Sequence, residues 1–240
     1  LSEEDFGKLQ TIDTIEEITL SSYAHTDNSI KNDLLPGQFP FTRGLKTNSN
    51  NWSNGYYLRV ENESDDNQKL LQILMKGCDL ILLDLSNKQE INFNSLLNNI
   101  GLEFISTQII LESTGQWESL LTYFQGEIPI NVLINVDPIT MDSHLFDTIA
   151  KHLHVKQSAV FSINGFRLLG CGSNAYQEVG FAVSTGHELI YRLMKNGLNI
   201  DQAAACIHFS IGIGSNYFVE IAKFRALKTL WSQIIESYKP

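Results

Sequence analysis

Apolar residues in this chain fall into short runs separated by amphipathic stretches. Asp79-Leu-Ile-Leu-Leu-Asp-Leu85, Phe104 to Leu111, Ile130-Asn-Val-Leu-Ile-Asn-Val136, Ala159-Val-Phe-Ser-Ile163 and Cys206-Ile-His-Phe-Ser-Ile211 have the length and content of strands. Between them the apolar positions recur at helical spacing over Asp65 to Lys76 (Leu70, Leu71, Ile73, Leu74), Phe93 to Ile100, Gln116 to Phe124 and Ser143 to His152. Helices are also predicted over Phe181 to Lys195, stopping at Asn196-Gly197, over Asp201 to Ala205 and over Tyr217 to Ile235. Such alternation predicts βα units on a parallel sheet buried on both faces, an α/β class, with five units near residues 80, 104, 131, 160 and 206. No Gly-rich phosphate fingerprint comes after the first strand. Five strands are fewer than a closed eight-fold barrel needs, so the pattern predicts an open sheet or the front part of a longer barrel.

Upstream the pattern changes. From Leu1 to about Ser22, Phe6, Leu9, Ile12, Ile15 and Ile18 recur in three-residue steps, which predicts one or two packing helices or an interaction arm. Between His25 and Ser53 the chain is rich in Asn, Ser and Thr, and Pro36-Gly37 and Pro40 break any helix. Its apolar residues, Leu34, Leu35, Phe39, Phe41 and Leu45, are close enough together to anchor it. Residues 1–55 are therefore expected to form a helical or extended arm, and residues 56–240 the α/β body.

Composition narrows the function classes. At 240 residues, 43% hydrophobic and 18% charged, the chain has the apolar mass of a globular core, which excludes a disordered tail. With 17 Lys and Arg against 27 Asp and Glu the formal net charge is -10, so no overall basic field neutralises phosphates and nucleic acid is not an expected partner. Cys78, Cys171 and Cys206 are too far apart for a Cys-x-x-Cys motif; they are expected to be buried small hydrophobes in a reducing cytoplasm. No apolar run reaches membrane-spanning length, and the acidic start LSEEDFGKLQ is unlike a signal peptide, so the chain is expected to be soluble, cytoplasmic and unexported.

Candidate chemistry is sparse. Asp142-Ser-His144-Leu-Phe-Asp147 approaches the Asp-x-His-x-x-Gly pattern of cobalamin ligation but lacks its Gly, and Asp142 reads as a helix N-cap. Gly170-Cys-Gly172 and Gly212-Ile-Gly214 come after strands, where their backbone N–H groups face an anionic ligand or form tight turns with positive φ. The histidines show no metal spacing, and His152 and His154 are expected to be solvated. No Gly-x-Ser-x-Gly elbow is present. Asp84 and Asp137 lie at strand C-termini, where α/β proteins place functional side chains, although Asp137-Pro138 is equally a turn-starting dipeptide.

Three segments carry a specific resemblance. Asn216-Tyr-Phe-Val-Glu-Ile-Ala-Lys-Phe-Arg-Ala-Leu-Lys-Thr-Leu-Trp231, Pro36-Gly-Gln-Phe-Pro-Phe-Thr-Arg-Gly44 and Gln177-Glu-Val-Gly180 resemble segments of the adenosylcobalamin-dependent acyl-CoA mutases and occur in that family's order. The resemblance runs from about Leu34 to Ile235. It implies a TIM-type (β/α)8 barrel, here incomplete at about five units, with acyl-CoA along the axis; Thr42, Arg43, Arg59 and Gln177 are the substrate-binding positions it carries over. It also implies departures. Where catalytic members hold a histidine that bonds the thioester carbonyl this chain has Ala175, and where they hold a tyrosine over the acyl group it has Glu61, whose charge would repel an acidic acyl group.

Heterodimeric methylmalonyl-CoA mutases pair a cobalamin-loaded large subunit with a homologous small subunit that has lost catalytic residues. The departures, with no cobalamin domain in these 240 residues, make this chain resemble the small subunits. That resemblance implies a chain that is itself inactive, holds no cofactor or metal, and supports a mutase large subunit that binds adenosylcobalamin. The alternatives are a catalytic barrel served by a cobalamin domain on another chain, and an acyl-CoA-binding module. A five-unit barrel would leave edges unsealed, so the chain is expected to continue past Pro240 or to be covered by a partner.

Overall fold

A computed structural model describes residues 11–13, 16–21, 34–49, 51–141, 143–153 and 160–239. The chain divides into two compact units: residues 1–49, 165–183 and 211–237 in the first, and residues 50–164, 184–210 and 238–240 in the second.

The second unit is built on a parallel sheet of six strands in sequential order: β3 (Gly55–Arg59), β4 (Leu80–Asp84), β5 (Ser106–Leu111), β6 (Val132–Val136), β7 (Phe161–Asn164) and β8 (Ile207–Ser210). The class is α/β, and the sheet is open between β3 and β8. Helices α1 (Glu63–Leu74), α2 (Phe93–Leu96), α3 (Thr114–Tyr123) and α4 (Ser143–Leu153) connect the first five strands, each packing on the next. Side-chain caps start them where Asn, Ser and Gln permit. Asn62 accepts from the N–H groups of Ser64 and Asp65, both at 3.1 Å, and Ser113 and Gln116 form a reciprocal capping box. Gln116 is buried, and its Nε2 also donates to the carbonyls of Leu85 at 2.8 Å and Lys88 at 2.5 Å, tying the chain after β4 to α3.

The two faces of the sheet are chemically different. Registered positions on one face carry Leu58, Ile81, Leu83, Ile109, Leu111, Ile134, Val136, Phe161 and Ile163, all buried, and the fully buried Leu70, Leu96, Trp117, Leu120, Leu145 and Ile149 come from the helices. Each such aliphatic side chain stabilises the fold by about 1.5–3 kcal/mol. The opposite face alternates with it and carries Tyr57, Arg59, Asp84, Gln108, Asn135, Ser162, Asn164, His208 and Ser210, most of them exposed or half-buried, with Leu82, Ile110 and Leu133 half-buried among them. The expectation of a sheet buried on both faces is therefore corrected. A doubly covered parallel strand needs a continuous apolar run, and in every strand a polar residue at the alternate positions interrupts it.

In the first unit, β1 (Thr11–Asp13) and β2 (Thr19–Ser21) pair antiparallel. This corrects the helical reading of Leu1 to Ser22 at these residues, where β-branched content favours strands and a three-residue step falls short of the helical 3.6; residues 1–10 and 14–15 lie outside the described residues. The unit also holds α5 (Phe166–Gly170), the first nine residues of α6 (Ala175–Lys195), and α8 (Tyr217–Ser237). Between α6 and β8 in sequence, α7 (Ile200–Ala205) opens with an Asn199–Gln202 capping box and belongs to the second unit.

Six strands replace the five expected, because Gly55–Arg59 pairs in parallel with β4; as an edge strand it alternates exposed Tyr57 and Arg59 with buried Leu58, a polar pattern that masks its strand character. Helix α6 begins at Ala175, six residues before the apolar periodicity suggests. Asn174 and Gln177 exchange reciprocal side-chain to backbone bonds at 3.1 Å, a capping box that starts the helix early. Cys78 and Cys206 are buried as expected, whereas Cys171 is exposed in the turn after α5. No described helix is long and apolar enough to cross a membrane.

His208 ties β8 to β6 across β7: its Nε2 lies 2.6 Å from Asn135 Oδ1 and donates to it, and Nδ1 is buried with no hydrogen-bond partner among the described residues. Burial pushes the imidazole down from 6.5 to about 4. Between those values the unfolded chain holds a proton that the folded chain rejects, so stability present above pH 6.5 is lost on acidification toward pH 4, by about 2–3 kcal/mol. Urea midpoints at pH 7.5 and 5 are expected to differ clearly more for the parent than for His208→Gln. Equal pH dependence of the two would show that His208 does not resist protonation.

Candidate functional site

The segments that carry the resemblance lie far apart in the chain and meet in the first unit around one buried charge. Lys223, on the stripe of α8 that also buries Leu227, is 3% exposed, and Glu178 on α6 is 0% exposed. The Lys223 ammonium donates to Glu178 Oε2 at 2.8 Å and to the Gly212 carbonyl at 2.8 Å, and it pairs with Glu220 Oε2 at 2.6 Å. Two of its protons are hydrogen-bonded, and the Glu220 carboxylate adds an ionic contact. Glu178 Oε1 in turn accepts from the Gly212 N–H at 2.7 Å. Burial works against the Lys223 charge, but the bonds to Glu178 and Glu220 more than offset it and hold its pKa above the ordinary lysine value. A buried lysine held protonated between two carboxylates is neither a nucleophile nor a base; it is a clamp.

The glycines around this clamp are there for space. A Cβ on Gly212 would stand 2.5 Å from Leu169 Cδ2, and one on Gly165 would stand 2.9 Å from Ile211 Cδ1 and 3.1 Å from Glu178 Cγ. Of Gly170, Gly172, Gly212 and Gly214, only Gly172 has positive φ, at 94°. The anion that the Gly212 N–H approaches is the protein's own Glu178.

The Pro36–Gly44 loop leans on the same helix. Thr42 Oγ1 lies 3.1 Å from Thr229 Oγ1, and Ser232 Oγ donates to the Pro40 carbonyl at 3.0 Å. Thr42 and Arg43 line an open groove along α8 with Tyr217, Phe224, Arg225 and Lys228. Gln177 caps α6, its Oε1 accepting from the Asn174 N–H. Ala175 is buried, and its N–H donates to Glu16 Oε2 at 2.8 Å, so a carboxylate of this chain already meets the start of α6.

In the second unit the polar face of the sheet forms a row along the C-terminal ends of its strands. Tyr57 donates a hydrogen bond to Asp84 Oδ2, which also lies 3.4 Å from Arg59 Nε, and Asp84 Oδ1 accepts from the Ser86 N–H at 3.0 Å. Burial acts to raise the Asp84 pKa, but the bonds from Ser86, Tyr57 and Arg59 outweigh it and keep the carboxylate ionised; the bond to Asp84, helped by burial, raises the Tyr57 phenol. Asp137 is buried, with Oδ1 accepting from the Ile139 N–H at 2.9 Å and Oδ2 from Asn164 Nδ2 at 2.9 Å, so it both starts a turn and braces β7. Glu61 comes two residues after β3 and is exposed; its N–H donates to Asp66 Oδ2 and its carbonyl accepts from Lys88. Thr42, Arg43, Gln177 and Ala175 thus belong to one unit, Arg59 and Glu61 to the other.

Comparison with known proteins agrees with this gathering of segments. A family model described as methylmalonyl-CoA mutase matches residues 137–240, which include both helices of the clamp. The methylmalonyl-CoA mutase small subunit of Porphyromonas gingivalis is 29% identical over 229 residues, 85% of this chain. Over most of its length the chain is similar to methylmalonyl-CoA mutases. Methylmalonyl-CoA mutase of Rhizobium meliloti is 37% identical over 79 residues, 33% of this chain, and the human mitochondrial methylmalonyl-CoA mutase 36% over 92 residues, 38% of this chain. These alignments take in 36% of the small subunit's own length and 11% and 12% of the other two, so the chain spans only part of the relatives it matches.

The residues present do not fit cobalamin. Asp147 stands where the ligating motif has Gly, and His144, exposed in the first turn of α4, has no carboxylate partner among the described residues to orient it as a ligand. Asp142 lies outside the described residues. Among the described residues no group of three His, Cys, Asp or Glu side chains could hold a metal ion. His152 is half-buried, its ring edge-on to Trp117 at 5.4 Å, which corrects its reading as a solvated histidine; His154 lies outside the described residues.

Glu178, Lys223, Tyr57 and His208 carry the geometry but escape sequence reasoning. The available signal is a charge on an apolar stripe: Lys223 lies four residues before Leu227, and these are the two buried residues of α8. Removing Lys223 leaves two carboxylates facing each other without a counter-charge, whereas Glu178→Gln keeps the Lys223–Glu220 pair and an oxygen for the Gly212 N–H. Lys223→Met is therefore expected to cost about 3–5 kcal/mol and Glu178→Gln about 1–3 kcal/mol in urea denaturation. Equal small losses would remove the clamp from its structural role.

Proposed function

We propose that this chain is the non-catalytic small subunit of a heterodimeric methylmalonyl-CoA mutase, supporting a large subunit that binds adenosylcobalamin and carries out the chemistry. One observation carries the reading. At the position where catalytic members hold their histidine, Ala175 has no side-chain donor for a thioester carbonyl, and its backbone N–H is committed to Glu16. By analogy with deletion of a donor to a developing oxyanion, this gap costs about 3 kcal/mol of transition-state stabilisation, roughly a factor of a hundred or more in rate. Glu61 replaces the family tyrosine with an exposed carboxylate, which works against an acidic acyl group.

The barrel expected from the resemblance fits a sheet of this kind. Sequential strand order, one apolar face and an alternating polar face support reading the sheet as an arc of a (β/α) barrel, in which the row from Tyr57 to Ser210 would be the inner positions. Within that reading, Thr42, Arg43, Arg59 and Gln177 are family positions retained for fold and loop placement more than for turnover. A cytoplasmic setting, with an acyl-CoA substrate bound by the complex, completes the proposal.

Co-expression with a mutase large subunit tests it. The expected outcome is a stable complex whose methylmalonyl-CoA turnover with adenosylcobalamin requires the large subunit, this chain alone being inert. Turnover by this chain without the large subunit would overturn the reading, as would failure of the two chains to associate.

A further inference from the structure

Three large apolar side chains of the second unit stand in solvent where its strands begin. Met75 is the C-cap of α1, ahead of β4, while Phe104 and Ile130 come two residues before β5 and β6. These strands are neighbours in a parallel sheet, so the three residues share its N-terminal edge, along which successive strands lie about 4.8 Å apart. Met75 is 90% exposed, Phe104 is 83% exposed and Ile130 is fully exposed. Trp52, 79% exposed, adds an indole three residues before β3, the next strand along.

Hydrogen bonds fix the edge that carries them. Asn131 Nδ2 donates to the carbonyls of Leu102 and of Ile105, the latter at 2.6 Å, which ties the turn of Phe104 to the residue after Ile130. The Ser106 N–H donates to the Asp79 carbonyl at 2.9 Å, and the Asn54 N–H to Asp79 Oδ1 at 2.5 Å. The Phe104 ring lies across Gly101, where a Cβ would stand 2.9 Å from Cδ2. Apolar side chains already held on a fixed edge lose little freedom when a partner covers them, so more of the burial free energy appears as affinity. Two aromatic side chains of about 150–250 Å² each, with Met75 and Ile130 beside them, present on the order of 600 Å² of apolar surface, most of the ~800 Å² that one partner contributes to a standard interface. A monomer seldom leaves that much open.

Charge decides which partner fits. Asp79, Glu103 and Glu127 are exposed on the same turns, against Lys76. A second copy would bring acids against acids in a chain of formal net charge -10, and an anionic lipid surface would meet the same repulsion. A protein surface whose apolar side chains are bordered by Lys or Arg complements both features. We infer that the N-terminal edge of the sheet docks a surface of this kind, and that the surface belongs to the mutase large subunit. The inference rests on the pairing proposed above and adds the place of contact.

The affinity of the purified chain for a purified mutase large subunit, measured by biolayer interferometry, tests it. Phe104→Ser and Ile130→Ser replace exposed side chains, and their folding is checked by circular dichroism. Each is expected to weaken association roughly tenfold or more, and Glu103→Lys is expected to slow it. Ile139→Ser, which removes an apolar side chain 60% exposed beyond the opposite end of β6, is expected to leave affinity unchanged. Unchanged affinity in both edge variants, or an equal loss in Ile139→Ser, would overturn the inference while leaving the pairing intact. Failure of the parent chain to associate would overturn both. Dimerisation of this chain that Phe104→Ser abolishes, or co-sedimentation with phosphatidylcholine vesicles that it abolishes, would overturn the inference in favour of a second copy or a lipid surface.

Discussion

Glu178 and Lys223 leave water together, each at a desolvation cost of several kcal/mol, and the fold tolerates this because the two charges meet each other and the Gly212 peptide, with Glu220 adding a second carboxylate to the pair. That requirement propagates outward. The Gly212 peptide must present both its N–H and its carbonyl to the pair, so the segment after β8 has to pass close by, and a side chain at Gly212 or Gly165 would block the approach. Helix α8 must then lie with Lys223 facing α6, which turns Thr229 and Ser232 toward the Pro36–Gly44 loop. Segments far apart in the chain are thereby held in one unit by a single buried charge.

The second unit obeys a different constraint. Its stability comes from one sheet face of branched aliphatic residues under a layer of helices, while the other face keeps polar side chains in mutual hydrogen bonds. Tyr57 and Arg59 both meet Asp84 at one end of the row, and toward the other His208 bonds to Asn135 and Asn164 to Asp137. Polar groups placed at alternate strand positions weaken the case for a second helical layer, because covering them would strand each donor and acceptor that lacks a partner.

The resemblance to the mutases and the departure from their motif at Ala175 are visible at different levels. Motif matches such as Gln177-Glu-Val-Gly180 have a structural reason, since Gln177 caps a helix and Glu178 anchors the clamp, roles that do not depend on turnover. Ala175 departs from the pattern within the same turn, at a position where the fold asks only for a backbone N–H. Packing thus accounts for the family-like text around the alanine, and it places no demand on the side chain at that position.

The α/β class, most of the helices and strands, and the resemblance itself were readable from periodicity and short motifs, since both depend on residues near one another in the chain. Boundaries set by caps were readable in principle: Asn174-x-x-Gln177 announces the start of α6. The edge strand at Gly55–Arg59 escaped the count because its exposed side carries Tyr and Arg, and the paired strands at Thr11–Asp13 and Thr19–Ser21 hid behind a near-helical spacing. Which of two sheet faces is covered, which lysine is buried, and which cations share a groove depend on contacts between residues distant in the chain, 45 apart in Glu178–Lys223 and 187 apart in Thr42–Thr229. Local propensity carries no information about those pairings, because the free energy that selects them is released only when the partners meet.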